Sequence, residues 1–146
     1  MTVQSGSSAA RAARAARVGG WLLIALALLH LAMTTAQSGE LLMHLAERGW
    51  WATVSGRPDA SGAREATIYW ATLGGFALPQ LVLGVWALSV GRRGQRVPTA
   101  VAWAVTAVIL VSLPPLGVNP SWLMVVPAGF LLFSAHARPR VAVTAQ

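Results

Sequence analysis

His30 can accept and release a proton near neutral pH, and it lies inside a long apolar stretch of the chain. Residues 18–36 around it contain no Asp, Glu, Lys or Arg. A histidine in such a segment is either a neutral imidazole hydrogen-bonded to a neighbouring helix, or a proton carrier, ligand contact or metal ligand. Glu40 follows shortly after the segment. His30 and Glu40 therefore form a candidate catalytic acid–base pair.

Gln80 is a second polar residue within an apolar segment, residues 67–90, and it directly follows Pro79. A proline inside a helix removes one backbone donor, which predicts a kink and an unpaired carbonyl near Gly75. The glycines of this segment also allow a partner helix to approach closely. The pattern predicts either close helix packing or a kinked wall beside a ligand cavity, with Gln80 as a ligand contact.

Residues 39–48 predict a short amphipathic helix that carries Glu40, His44 and Glu47 on one face. Two carboxylates around an imidazole can bind a divalent metal or tune a general acid, but charge pairing with Arg48 explains the same spacing. We predict no metal site. Indole rings near this helix and at the start of the second apolar segment could stabilise a cationic ligand. These candidate ligand contacts are Trp50, Trp51 and Trp70.

The chain has no cysteine and three histidines, which narrows the range of cofactors. Without cysteine, disulfides, zinc–thiolate sites and iron–sulfur clusters are excluded. His44 and His136 fall on opposite sides of the predicted membrane domain, so a haem held by two histidines is not expected. Three histidines are also too few for a multi-histidine di-iron site. We therefore expect no cofactor.

Four apolar segments determine the expected architecture: residues 18–36, 67–90, 97–115 and 120–135. About 20 helical residues cross a hydrocarbon layer about 30 Å thick, a length that the first three segments reach and the fourth approaches. Apolar residues surround these helices instead of forming one stripe, as is typical of helices in lipid. The sequence predicts an all-α membrane protein, a bundle of four transmembrane helices with a short amphipathic helix in the first external loop.

Arginines predict the orientation of this bundle. They cluster beside the ends of the apolar segments, at Arg11, Arg14 and Arg17, at Arg92, Arg93 and Arg96, and at Arg138 and Arg140. The positive-inside rule places both termini in the cytoplasm of a bacterial inner membrane and residues 37–66 outside. Residues 1–17 are expected to form a disordered basic N-terminus, and residues 137–146 a cytoplasmic tail. The net charge of +7 is thus explained by topology, which argues against a nucleic-acid partner.

Three stretches carry a resemblance to a known family. They are GWLLIALALLHL, which contains His30, IYWATLGGFALPQLVLGVW, which contains Trp70, and LPPLGVNPSWLMVVPAGFLLF, which contains Pro120 and Trp122. Here the chain resembles a family of small four-helix bacterial membrane proteins catalogued as a domain of unknown function, over roughly residues 17–136. In architecture alone it also resembles DoxX-like proteins. The resemblance implies the fold and no particular activity.

Two classes of function fit these observations. The first is an accessory or ligand-binding membrane protein, whose partners would be the lipid bilayer, an apolar small molecule and a second copy of the chain. The second is an intramembrane isomerase or cyclase acting on a lipid or terpenoid by acid–base chemistry. The two differ in geometry, because an enzyme needs its polar residues to converge on one pocket.

Overall fold

A computed structural model describes residues 5–48, 69, 75–112 and 120–137 of the chain. Within these ranges the regular elements are all helical, as the sequence predicts. The α-helices are α1 (Ser5–Arg48), α2 (Ala77–Arg92), α3 (Thr99–Ser112) and α4 (Val125–His136). A short 3-10 helix, Pro120–Met124, leads directly into α4. The all-α prediction is therefore confirmed for the described part of the chain.

Helix α1 is much longer than the apolar segment that predicts it. It begins at Ser5, so residues 5–17 are helical and differ from the disorder expected there. The physical reason is burial, because the alanines between the arginines face inward and are covered by other helices. These buried residues are Ala12, Ala13, Ala15 and Ala16.

A kink divides α1 near its C-terminal end. Ser38 has non-helical backbone angles, with φ of −129° and ψ of 18°, and regular helix resumes after it. Residues 39–48 thus form the short helix that the sequence predicts, joined to the apolar part of α1 instead of separated from it. In an amphipathic helix over these residues Leu41 and Leu45 would belong to the apolar face, and their side chains lie outside the described residues.

One described helix is long and apolar enough to cross a membrane, the Ser7–Glu40 part of α1. At 1.5 Å per residue its 34 residues extend about 50 Å, against a hydrocarbon thickness of about 30 Å. Three further apolar helices are shorter: Ala77–Arg92, Thr99–Val111 and Trp122–His136. The residues adjoining them, 70–74 and 113–119, lie outside the described part of the chain.

Pro79 marks a helix start in this structure. Regular helix begins at Ala77, so Pro79 lies in the first turn of α2 rather than near the middle of a longer helix. The N–H groups of the first turn have no acceptor within the helix, so a proline, which lacks this N–H, is accommodated there without a kink. The backbone N–H of Gln80 donates to the carbonyl of Phe76 at 2.9 Å and closes this turn.

The chain divides into two compact units. The first combines Met1–Ile24 with Leu83–Gln146, and the second is Ala25–Val82. The first unit contains a buried apolar core to which all four α-helices, or the loops that join them, contribute. Its members are Ala16, Leu23, Ala87, Val97, Ala102 and Leu131.

Within the first unit, the backbones of α1 and α2 lie in direct contact. A methyl group added to Gly20 would lie 2.7 Å from the carbonyl oxygen of Gly84. One added to Gly91 would lie 2.7 Å from the carbonyl oxygen of Ala13. Moving seven residues toward the N-terminus of α1 thus corresponds to moving seven residues toward the C-terminus of α2, so the two helices run antiparallel. We call Ala13, Gly20, Gly84 and Gly91 the small-residue seam.

The small-residue seam repeats every seven residues on both helices. Such spacing keeps one face of each helix in contact when two helices cross at a shallow angle. In the second unit, the same step along each helix reaches Ala27 and Ala77, and both are buried.

Short polar contacts fix the connection from α2 to α3 and its contact with α4. Gly94 has a positive φ of 71°, and the N–H of Gln95 donates to the carbonyl of Val90 at 3.1 Å, which is the usual glycine end of a helix. The chain then reaches Val97, whose N–H donates to the hydroxyl oxygen of the fully buried Ser134 on α4 at 3.3 Å.

Large apolar side chains lie mostly on the outside of both units. In the first unit, Trp21 is 56% exposed and Val111 is 76% exposed, while in the second Val82 is 70% exposed. By contrast, alanines make up most of the buried apolar residues. This distribution is the reverse of that in a water-soluble domain, where the largest apolar side chains fill the core.

We expect Gly20→Ala to destabilise the protein by about 2 kcal/mol, because the new methyl group meets the backbone of α2, which cannot move aside without separating the helices. The matched control is Gly129→Ala on α4, where an added methyl group meets no atom within 4 Å. Thermal unfolding of both variants in the same detergent measures the difference. Equal stability of the two variants would contradict the close contact at the seam.

Candidate functional site

His30 lies on an exposed part of α1 in the second unit. Its backbone carbonyl accepts a hydrogen bond from the Thr34 hydroxyl at 2.7 Å, and this hydroxyl is also 3.2 Å from the carbonyl of Leu31. Bonding of a threonine to the preceding turn is a common way to satisfy a hydroxyl in an apolar helix. His30 itself also has an interaction partner. It is therefore not an isolated polar group on α1.

Glu40, the proposed partner of His30, lies beyond the kink at Ser38 and is also exposed. Ten helical residues correspond to about 15 Å along the axis, whereas proton transfer requires hydrogen-bond distance or one intervening water. The structure thus does not bring His30 and Glu40 together. Their catalytic roles stay predictions from the sequence.

Gln80 is half-buried in the first turn of α2, also in the second unit. It has an interaction partner besides the backbone bond that closes the turn. The three tryptophans predicted to contact a ligand, Trp50, Trp51 and Trp70, lie outside the described residues. Gln80 is thus the one predicted ligand contact whose position the structure describes.

The face of residues 39–48 that carries Glu40, His44 and Glu47 includes one close contact between exposed side chains. The Nδ1 atom of His44 lies 3.6 Å from Oε2 of Glu47, and both side chains are largely exposed. Exposed pairs of this kind contribute little to stability. Among the described residues, no group of three or more His, Asp or Glu side chains could hold a metal ion. The geometry there is that of ordinary charge pairing on a helix surface.

A groove with a volume of about 530 Å³ lies between the N-terminal part of α1 and α4 in the first unit. Its α1 side includes Arg11, Arg14 and Val18, and its α4 side is apolar, with Val126 and Phe133 among the lining residues. We call it the basic groove. In the sequence these arginines predict topology alone, because no pattern of residues indicates that α1 lies beside α4.

A second contact that the sequence analysis missed lies between α3 and α4. The rings of Trp103 and His136 meet edge to face, with centroids 6.1 Å apart and planes at 82°. The Nδ1–H of His136 donates to the carbonyl of Leu132 at 2.9 Å. His136 therefore closes the last turn of α4 and supports the indole ring beside it, which gives it a structural role.

Over the part of the chain that the structure describes, these features are helices alone, one of them long and apolar, with closely packed glycines and a groove flanked by arginines. The chain belongs to a family of unknown function, DUF6463, whose profile matches residues 14–138. The predicted resemblance to an uncharacterised family is thereby confirmed, while the likeness to DoxX-like proteins stays a prediction. No curated protein and no solved structure matches the chain.

Because His30 is exposed, its substitution should lower the stability of the protein less than substitution of a buried residue. We expect His30→Leu to cost about 1 kcal/mol or less, the usual value of a hydrogen bond between membrane helices. Leu23→Ala, which empties a fully buried position, should cost about 3 kcal/mol. Unfolding midpoints in detergent, with His30→Gln as the variant that keeps a donor and an acceptor, measure the order. A His30→Leu protein less stable than Leu23→Ala would contradict it.

Proposed function

We propose that this protein is a four-span integral protein of the bacterial cytoplasmic membrane, with both termini in the cytoplasm, that serves an accessory, ligand-binding role. The observation that carries the proposal is the arrangement of side chains in the packed helices. Small residues fill the contacts between helices, and large apolar residues face outward. Lipid is the solvent that suits such a surface, because helices in lipid associate through small residues.

A water-soluble alternative fits this surface poorly. Soluble monomers rarely expose continuous apolar patches larger than a few hundred Å². Here every described α-helix exposes large apolar side chains, including Trp21, Val82, Leu110 and Phe133. In addition, only 22% of the most apolar part of α1 is buried, whereas the core helix of a soluble protein is mostly buried. The exposed surface thus supports a lipid environment.

Four spans follow from adding the flanking sequence to the shorter helices. The apolar segments predicted from the sequence, residues 67–90 and 97–115, are longer than α2 and α3. Counted over their full apolar length, these segments reach the length that a bilayer requires. The arginine clusters in the N-terminal part of α1, around the connection from α2 to α3, and after α4 then lie on one side, as the positive-inside rule demands.

The accessory role is supported by the separation of the candidate acid–base residues. His30 and Glu40 lie on opposite sides of the kink in α1, and the basic groove is lined by neither of them. An isomerase or cyclase requires an acid and a base that reach one substrate together. The groove instead combines an apolar wall with two positive charges, an arrangement suited to binding.

The absence of native cysteine allows a direct test of topology. We expect a cysteine introduced as Ser61→Cys to react with a membrane-impermeant maleimide in intact spheroplasts. A cysteine introduced as Gln95→Cys, in the short connection between α2 and α3, should react only after lysis. The positive-inside rule predicts this difference, since the arginines around Gln95 have no acidic neighbours, whereas those around residue 61 are offset by Asp59 and Glu65.

The unmodified chain is the control and should give no labelling. Reaction of Gln95→Cys in intact spheroplasts would overturn the orientation. The membrane location itself would be overturned if the protein were absent from the membrane fraction and both cysteines reacted equally.

A further inference from the structure

We propose that the basic groove binds one anionic phospholipid of the cytoplasmic leaflet, with its phosphate on Arg11 and Arg14 and an acyl chain along α4. This inference rests on the proposed membrane location and names the ligand class of the protein. The groove lies entirely within the first unit. Its volume of about 530 Å³ is within the usual range for ligand sites, about 300–1,000 Å³.

Helix periodicity places the arginines on the groove. Arg11, Arg14 and Val18 follow one another at three- and four-residue steps and therefore lie on one face of α1. A second hollow, lined by Ser7, Ala10 and the same two arginines, adjoins the groove. The guanidinium groups thus stand between a polar hollow and an apolar one, which is the position that a phosphate between a headgroup and its acyl chains would occupy.

Neither helix that lines the basic groove contributes an acidic side chain to it. All acidic residues of the sequence fall between Glu40 and Glu65, so neither the N-terminal part of α1 nor α4 carries one. Both guanidinium groups are exposed and lie at the predicted cytoplasmic end of α1. Arginine forms paired hydrogen bonds to phosphate oxygens, and basic pockets at the cytoplasmic side of membrane helices bind anionic headgroups.

The apolar wall continues from the arginines toward the middle of the membrane. Gly91 contacts Arg17, and Val97, a few residues after Gly91, contacts Ser134. The C-terminal end of α4 is therefore at the arginine end of α1. Gly19, by contrast, faces the part of α4 around Phe130. The groove thus runs from the charged end at Arg11 into the apolar region.

Room for a chain is provided by Gly129, where an added methyl group would meet no atom within 4 Å. The side chains beside it are apolar and exposed: Val125, Val126, Phe130 and Phe133. A free phosphate ion would use only the arginines and leave this wall unoccupied. An acidic peptide would have to place backbone polar groups against it, which is costly. A phospholipid satisfies both ends of the groove.

Native mass spectrometry of the full chain in detergent tests the proposal. The probes are phosphatidylglycerol and phosphatidylcholine with identical acyl chains. We expect the first phosphatidylglycerol to bind more tightly than phosphatidylcholine. Arg11→Gln/Arg14→Gln should raise the dissociation constant for phosphatidylglycerol at least tenfold, since each arginine contributes roughly fivefold to the affinity. The matched control, Arg92→Gln/Arg93→Gln, removes an equal charge from exposed residues outside the groove and should leave binding within about twofold of the unmodified chain.

Gly129→Leu tests the chain-binding part, because its side chain occupies the groove without changing charge. It should weaken phosphatidylglycerol binding, and Val126→Phe should do so if the leucine variant does not fold. An equal loss of phosphatidylglycerol affinity in the two double arginine variants would indicate binding to general surface charge and would overturn the proposal. So would full competition by inorganic phosphate with no effect of Gly129→Leu or Val126→Phe. Cysteine labelling at residue 61 reports on the membrane location independently, so the two failures are distinguishable.

Discussion

The contact between the backbones of α1 and α2 is the constraint on which the first unit depends. Where Gly20 meets Gly84, neither residue has space for a side chain. Such an approach replaces side-chain packing by direct contact between helices, and it gains stability in lipid, where the hydrophobic effect does not hold helices together. Because the seam uses glycine and alanine, the larger residues of the same helices are left to face outward. The apolar surface of the molecule is therefore a consequence of how its interior is packed.

The same packing explains the helical N-terminus and the basic groove. Residues 5–17 have few large apolar side chains, yet they are helical because their alanines lie against the neighbouring helices. Arginines alternate with those alanines and are held on the outer face. Arg11 and Arg14 are thereby fixed beside α4 instead of moving freely in a disordered tail. Arginines that predict topology in the sequence thus have a defined position in the structure.

Hydropathy was enough to predict the all-helical class, and polarity was enough to single out His30 and Gln80. The glycines of residues 67–90, which include Gly84, predict close approach of a partner helix, but the full small-residue seam was harder to predict because its members are seven residues apart and lie on two helices. Ala13, Gly20 and Ala27, matched by Ala77, Gly84 and Gly91, were a usable signal. Pro79 was interpreted as a kink because helical length was judged from apolar residues alone. The groove could not be predicted, since it requires knowing that α1 lies beside α4.

Spin labels along α3 test most directly the claim that lipid surrounds the large side chains. Val108 and Leu110 are exposed, whereas Ile109 between them is buried at nearly the same depth. Single cysteines at these positions, labelled and reconstituted in liposomes, should show high oxygen accessibility at 108 and 110 and low accessibility at 109. A polar nickel chelate should reach none of them. Strong relaxation by the nickel chelate at 108 and 110 would place these side chains in water and contradict the account.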